Sequence, residues 1–402
     1  MQTNIHESFS QHPDIAEAEA ILRSCVHCGF CTATCPTYQL LSDERDGPRG
    51  RIYLLKQFLE TNQITEKTQE HLDRCLTCRS CETTCPSGVD YSRLLDIGRS
   101  LMEEKLPRSG KQRLLRRLVR SLFPFPSRLM PLLTLAQLIR PVLPSTLASK
   151  VPVKAVLKTA PAKKAHARTM IALAGCVQSS ATPNTLRSSQ RVLDKLNISL
   201  VTSPTAGCCG ALSYHLSAPQ EGLDFMRRNI DAWWPLIEQG AEAIVITATG
   251  CGAMVKEYGD RLKDDPYYAD KALKVSALSK DISEILLSED LSSLKVDTQS
   301  STAVHCPCSM QHALKLNNNI EKVLTDLGFN LSRTQEKHLC CGSAGTYSIF
   351  QPEISEQLLA KKVSALTLDK PDQIVTANIG CQLHIGSQSA VPVKHWIELL
   401  DS

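Results

Sequence analysis

Two runs of closely spaced cysteines constrain this chain more than any other feature. The first is Cys25-Val-His-Cys28-Gly-Phe-Cys31-Thr-Ala-Thr-Cys35-Pro36 and the second Cys75-Leu-Thr-Cys78-Arg-Ser-Cys81-Glu-Thr-Thr-Cys85-Pro86. Both read C-x2-C-x2-C-x3-C-P. Three thiolates at such intervals on a tight loop can wrap one face of an inorganic cube, while the fourth lies too far along to close the same corner. Structural zinc is the simpler alternative, because it needs only four thiolates in a tetrahedron. A third evenly spaced cysteine and a Cys-Pro in both copies have no role in such a site, so the runs read as iron–sulfur ligands.

In two-cluster ferredoxins the fourth cysteine of each run serves the other cluster. The expected ligand sets are therefore Cys25, Cys28, Cys31 and Cys85 for one [4Fe–4S] cluster, and Cys75, Cys78, Cys81 and Cys35 for the second. Two clusters held this way make a one-electron relay and staple the two halves together. Between the runs, Gly47-Pro48-Arg49-Gly50-Arg51 precedes Ile52, Leu54, Leu55, Phe58 and Leu59, which reads as a turn and then a helix with one apolar face. The short alternating strands of a compact ferredoxin are not evident, so this region is expected to be helical. Arg49 and Arg51 either screen the clusters, meet a partner, or simply begin a solvated helix.

The chain has 402 residues, room for two or three domains, and its 17 cysteines are an odd number, which argues against wholesale disulfide pairing. Between 105 and 168 stand fifteen Lys and Arg with no Asp or Glu; the net charge of +4 less 15 leaves −11 for the rest. Pro107, Pro124, Pro126, Pro131, Pro141, Pro144, Pro152 and Pro161 break the same stretch into short pieces. The expected domains are thus 1–104, a basic linker at 105–168, and two further units at 169–298 and 299–402. In the linker, Leu114, Leu115, Leu118, Val119 and Leu122 lie beside Arg113, Arg116, Arg117 and Arg120. That amphipathic, basic composition suits either an anionic bilayer surface or a partner subunit. No stretch is long and apolar enough to span a membrane, and the first residues carry no secretory signal, so the expected location is cytoplasmic, peripheral on the inner face of the cell membrane.

Beyond the linker the sequence repeats. Cys176 is followed by 31 residues and then Cys208-Cys209-Gly210, and Cys308 by 31 residues and then Cys340-Cys341-Gly342. Each pair precedes an apolar run ending in Gly-Cys, at Cys251 and at Cys381. The copies are offset by 132, 132 and 130 residues. Short β-branched runs alternate with helical stretches, the pattern of parallel α/β units, whose ligands gather at the carboxyl ends of strands. Cys176, Cys208, Cys209 and Cys251 are expected to share one redox or metal site, and Cys308, Cys340, Cys341 and Cys381 another. Cys306 lacks a counterpart, and His27, His305, His338 and His384 read as hydrogen-bonding or surface residues.

Taken together, Cys25-Val-His-Cys-Gly-Phe-Cys-Thr-Ala-Thr-Cys-Pro-Thr-Tyr, Asp46-Gly-Pro-Arg-Gly-Arg-Ile-Tyr, the second cysteine run and the two Cys-Cys-Gly repeats closely resemble the iron–sulfur subunits of bacterial glycolate oxidases (glycolate dehydrogenases). More distant likenesses are to the small subunit of anaerobic glycerol-3-phosphate dehydrogenase, lactate-utilisation proteins and heterodisulfide reductase subunits. The resemblance implies an α-helical two-cluster ferredoxin domain followed by tandem duplicated α/β cysteine-rich (CCG) domains. It implies a chain that relays electrons singly from FAD-binding glycolate dehydrogenase subunits, which oxidise glycolate to glyoxylate, toward membrane quinone. No G-x-G-x-x-G is present, so the flavin is expected on another polypeptide. In the heterodisulfide reductase relatives the repeat ends in C-x2-C. Here Cys251-Gly-Ala-Met254 and Cys381-Gln-Leu-His384 lack the second cysteine, which counts against a thiol–disulfide enzyme of that type. Nucleic acid is not expected as a partner, since the basic segment has few aromatic residues and the remainder is acidic.

Overall fold

The computed structural model describes residues 1–157 and 165–401. Among them no strand precedes Arg168, and the cysteine runs sit in an all-helical unit, as their surroundings predict. Its framework is two helices, Pro48–Thr61 and Tyr91–Lys105. The first starts on a proline, whose missing N–H costs nothing there, and stops where Asn62 turns left-handed at φ 54°. Ile52, Leu55, Phe58 and Leu59 recur at helical spacing and are buried against Leu22, Leu72, Leu94 and Leu95. Each such side chain contributes about 1.5–3 kcal/mol on leaving water. At Gly98 the helices touch: a Cβ would stand 2.2 Å from Leu55 Cδ2, so any larger residue would push them apart.

The linker forms helix Gly110–Leu122, capped by Ser109, and helix Pro126–Ile139, bent against the first by 105°. No single helix among the described residues is long and apolar enough to cross a membrane. Its basic face is not uniform, which corrects the sequence expectation. Arg116 points inward to Asp73 at 3.7 Å and lies 5.1 Å over the Phe350 ring, and Arg120 pairs with Glu221 at 3.4 Å. Lys111, Arg113 and Arg117 remain exposed beside Leu114, Leu115 and Leu118. The inward arginines answer acids that lie far away in sequence, which periodicity alone cannot register. Pro161, Lys158, Lys163 and Lys164 lie outside the described residues.

The remainder is two parallel α/β units. Strands β1 (Arg168–Leu173), β2 (Ile198–Thr202), β3 (Ile244–Ile246) and β4 (Ser279–Asp281) form a sheet in the order β2-β1-β3-β4. Strands β5 (Thr302–His305), β6 (Gln373–Thr376) and β7 (Val393–His395) form a second sheet in that order. β5, β6 and β7 stand where β1, β3 and β4 do, while the counterpart of β2 shrinks to one bridge between Thr302 and Leu331. The sheets share a core in which Val192, Leu193 and Val245 meet Val375, Trp396, Ile397 and Leu400. They also interlock through their loops. Thr249 N–H donates to Ala377 O at 3.1 Å, Gly250 N–H to Asn378 Oδ1 at 3.2 Å, and His395 Nε2 meets Thr247 O at 2.7 Å.

The helical unit docks on both repeats. On the first, Arg79 pairs with Glu257, Asp96 meets His215 at 3.1 Å and Arg261 at 3.3 Å, and Arg93 reaches Tyr214 at 3.1 Å. On the second, Tyr347 Oη donates to Arg74 O at 3.0 Å and Thr83 meets His312 at 2.9 Å. Burial alone would raise the Asp96 carboxyl, but His215, Arg261 and Arg99 hold it down at about 2.

Candidate functional site

Each cysteine run bends back on itself through two left-handed residues. His27 and Gly29 have φ of 61° and 85°, and at the matching places Thr77 and Arg79 have 53° and 62°. Glycine adopts this conformation freely; Arg79 does so against steric cost and is held by Glu257. The turns bring three cysteines of one run around a common hollow, after which a short helix, Phe30–Ala33 or Ser80–Thr84, carries the chain away. Cys35 and Cys85 then return in extended conformation at φ −82° and −76°, each locked by the following proline. Thr34 Oγ1 and Thr84 Oγ1, 3.2 Å apart, join the two turns.

The result is two hollows. One is lined by Cys25, Cys28, Cys31, Cys81 and Cys85. The other is lined by Cys35, Cys75, Cys78 and Cys81. Each tetrad expected from the crossed pattern thus faces one hollow, and Cys81, Pro48 and Tyr91 line both. The residues suit a four-iron cluster, since at least four cysteines line each space. Burial pushes the Cys31 thiol up to about 11 and the Cys78 and Cys81 thiols well above the usual thiol range.

Around the second hollow lies a buried ionic network that the motifs did not reveal. Arg51 and Asp46 are each 1% exposed in their side chains and 3.4 Å apart. Arg51 also donates to His71 O at 2.7 Å and Thr37 Oγ1 at 3.1 Å, while Asp46 accepts from Arg74 at 3.1 Å and meets His71 Nδ1 at 3.1 Å. Arg51 lines the second hollow and is buried, not at a solvated helix start. Arg49 pairs with Glu44 at 2.6 Å and lines the first.

In each repeat the thiols lie near one another. In the second, Cys308 Sγ lies 3.9 Å from Cys340 Sγ, and Cys341 Sγ lies 3.2 Å from Cys381 Sγ. In the first, Cys176, Cys208, Cys209 and Cys251 form the same chain of neighbouring thiols. The second repeat abuts the second hollow: Leu76, Cys78, Cys308 and Cys340 pack in one cluster with Tyr347 and Leu358. His384 meets Ser355 Oγ at 3.0 Å and His338 is exposed, as their sequence reading has it. His305 is different, being fully buried beside Cys341 and Cys381.

Comparison with known proteins agrees with this layout. Residues 21–89 match the 4Fe-4S dicluster domain family, and 171–256 and 302–386 each match the cysteine-rich domain family. The "Glycolate oxidase iron-sulfur subunit" of Escherichia coli is 53% identical over 401 residues, covering 100% of this chain and 98% of that protein. This chain belongs to the glycolate oxidase iron–sulfur subunit family. A "Probable glycolate oxidase iron-sulfur subunit" of Bacillus subtilis is 29% identical, covering 98% of this chain and 96% of its own length. The "Lactate utilization protein A" of the same species is 27% identical over only 48% of this chain and 83% of its own length. Within the family, what sequence reasoning missed is the Arg51–Asp46 network, the Asp96 junction and His305. The one signal available for the first was the Asp46-Gly-Pro-Arg-Gly-Arg51 run itself.

Proposed function

We propose that this glycolate oxidase family member is the electron-transferring subunit of a complex that oxidises glycolate to glyoxylate, with FAD on partner chains. Cys25, Cys28, Cys31 and Cys85 would hold one [4Fe–4S] cluster, and Cys75, Cys78, Cys81 and Cys35 the other. Bound there, such clusters would each take up and release one electron at a time. The observation that carries the reading is the arrangement of two complete tetrads around neighbouring hollows that share lining residues, the second packed against thiols of the second repeat.

The protein's own residues give the line a direction. Cys28 is exposed and lines the first hollow together with Val26, which is 66% exposed; Phe30, 62% exposed, follows two residues on, and Tyr53, 49% exposed, stands 6.2 Å from the ring of His27, which also lines the hollow. These exposed residues form the entry face, where a flavin subunit would sit within reach of the first tetrad. Pro48 and Tyr91 stand between the tetrads, lining both hollows, and Arg51 supplies positive charge to the second. Cys78 and Cys308 lie together at the exit, on the side of the cysteine-rich repeats. The exposed leucines of the linker, flanked by Lys111, Arg113 and Arg117, would rest on an anionic bilayer and bring the exit toward quinone. We assign residues 1–104 to the relay, 105–168 to the linker and 169–298 and 299–402 to the repeats.

Anaerobic purification with co-purifying chains tests the proposal. Expected are about eight irons on this chain, as two four-iron clusters, flavin on its partners, and loss of visible cluster absorbance on adding glycolate. Stoichiometric zinc without iron would refute the relay. Bleaching by lactate or glycerol 3-phosphate but not glycolate would refute the substrate.

A further inference from the structure

Tyr91 is the first residue of helix Tyr91–Lys105, and the backbone around it runs between the two hollows. Val89 lines the first hollow and Ser92 the second, while Tyr91 lines both. Its side chain belongs to the same buried core as Ile52, Leu55, Cys81 and Leu95, and the residue is 4% exposed. The hydroxyl is out of place there. Tyr91 Oη is buried and has no hydrogen-bond partner among the described residues. A phenylalanine would fill the same space without that penalty, since a buried hydroxyl left unsatisfied opposes folding.

The other hydroxyl groups on the second hollow are paired. Thr37 Oγ1 donates to Asp46 O at 2.8 Å, Ser92 Oγ donates to Asp90 Oδ1 at 3.3 Å, and Thr77 Oγ1 accepts from Arg99 at 3.3 Å. The Arg51 guanidinium bonds to His71 O, Thr37 and Asp46. It therefore acts on the hollow as charge. Cys75 Sγ accepts from Thr77 N–H at 3.4 Å, and a thiolate sulfur has room for a second donor. Burial pushes the Tyr91 phenol well above its ordinary range; the thiols of Cys75 and Cys81, both of the second run, push the same way, and Arg51 opposes them. The proton stays on oxygen, available for donation.

We propose that Tyr91 donates a hydrogen bond to the sulfur of Cys75 when a cluster is held by Cys75, Cys78, Cys81 and Cys35, and that this bond makes that cluster easier to reduce. The inference rests on the relay reading and adds a tuning residue to it. Reduction places more negative charge on the ligand sulfurs, and a hydrogen bond to a more negative acceptor is stronger, so the donor favours the reduced state. Arg51 and Tyr91 then act in the same sense, one by charge and the other by a directed proton. Both favour the electron at the second hollow, on the side of the cysteine-rich repeats.

Potentiometric titration followed by electron paramagnetic resonance on the anaerobically purified full chain tests this, the relevant signal being the one that Cys35→Ser removes or distorts. Tyr91→Phe keeps the ring and deletes only the oxygen. It should lower the reduction equilibrium constant of the second cluster about tenfold, which is about 59 mV for one electron, with a smaller shift at the first cluster and unchanged iron content. Tyr91→3-fluorotyrosine, a stronger donor of nearly the same size, should move the potential the opposite way. A ring that only fills space would leave both potentials at the parent value. An unchanged potential in Tyr91→Phe with both clusters present, a shift at the first cluster as large as at the second, or no upward shift with fluorotyrosine would each overturn the proposal. If Tyr91→Phe does not retain its clusters, the fluorinated chain decides alone. A parent chain without iron would overturn the relay and this proposal with it.

Discussion

Replacing Arg51 with Met should lower the reduction potential of the cluster proposed at Cys75, Cys78, Cys81 and Cys35 and leave its proposed neighbour almost untouched. Arg51 lines the second hollow and not the first, and its charge is buried, so solvent screens it poorly. A unit charge about 6–8 Å from a redox centre, at an effective dielectric constant of about 20, acts with about 2–3 kcal/mol. For a one-electron couple that is about 90–120 mV. The sign follows from the reaction: reduction adds negative charge, so losing a nearby cation disfavours it. The fold should also lose about 3–5 kcal/mol, because Asp46 and His71 O surrender a buried charged partner. Arg51→Lys keeps the charge and discards the fork of hydrogen bonds, so it should lose stability while holding the potential near the parent value. The assay is a potentiometric titration followed by electron paramagnetic resonance, with thermal unfolding alongside. Equal shifts at both clusters, or a shift in the Lys variant as large as in the Met variant, would refute the reasoning.

Cys35→Ser should remove or distort the cluster shared with Cys75, Cys78 and Cys81 while the other resonance signal survives; damage confined to the Cys25, Cys28 and Cys31 set would rule out the crossed pattern. Asp96→Asn tests the junction with the first repeat. Its depressed carboxyl contributes roughly 2 kcal/mol that is fully present above about pH 4 and lost as the pH falls toward about 2. The gap in melting temperature between parent and variant should therefore close over that interval, and a constant gap would contradict it. Phe30→Ser should slow electron entry from the flavin subunits about tenfold without changing iron content, read as glycolate-driven cluster reduction in rapid mixing; an unchanged rate would move the entry face elsewhere. Exchanging Lys111, Arg113 and Arg117 for Gln should free the complex from anionic vesicles at about 0.15 M salt and spare dye reduction. Dissociation of the complex with vesicle binding intact would make the linker a subunit interface.

Much of this molecule was legible in one dimension because its strongest constraints are local or periodic. A cluster ligand set needs thiolates at fixed short intervals, so C-x2-C-x2-C-x3-C-P announced the two hollows, and Pro36 and Pro86 announced the return of the fourth cysteine of each run. A duplication preserves spacing, so the 31-residue interval announced two α/β units before either sheet was seen. Helical character around the clusters followed from an apolar face at positions 52, 55, 58 and 59 and from the absence of alternating strands. What stayed hidden depends on charges brought together by folding. Nothing in the spacing says that Arg116 and Arg120 turn inward, that Asp96 binds His215 and Arg261, or that Arg51 is sunk beside Asp46. Nor does a single histidine in a strand declare whether it faces sulfur or filler; at His305 the parallel pairing of β5 with β6 makes that choice. Ligand spacing is written along the backbone, whereas a buried charge finds its partner through packing. Only tertiary structure could decide which basic residues serve the sites and which meet the solvent.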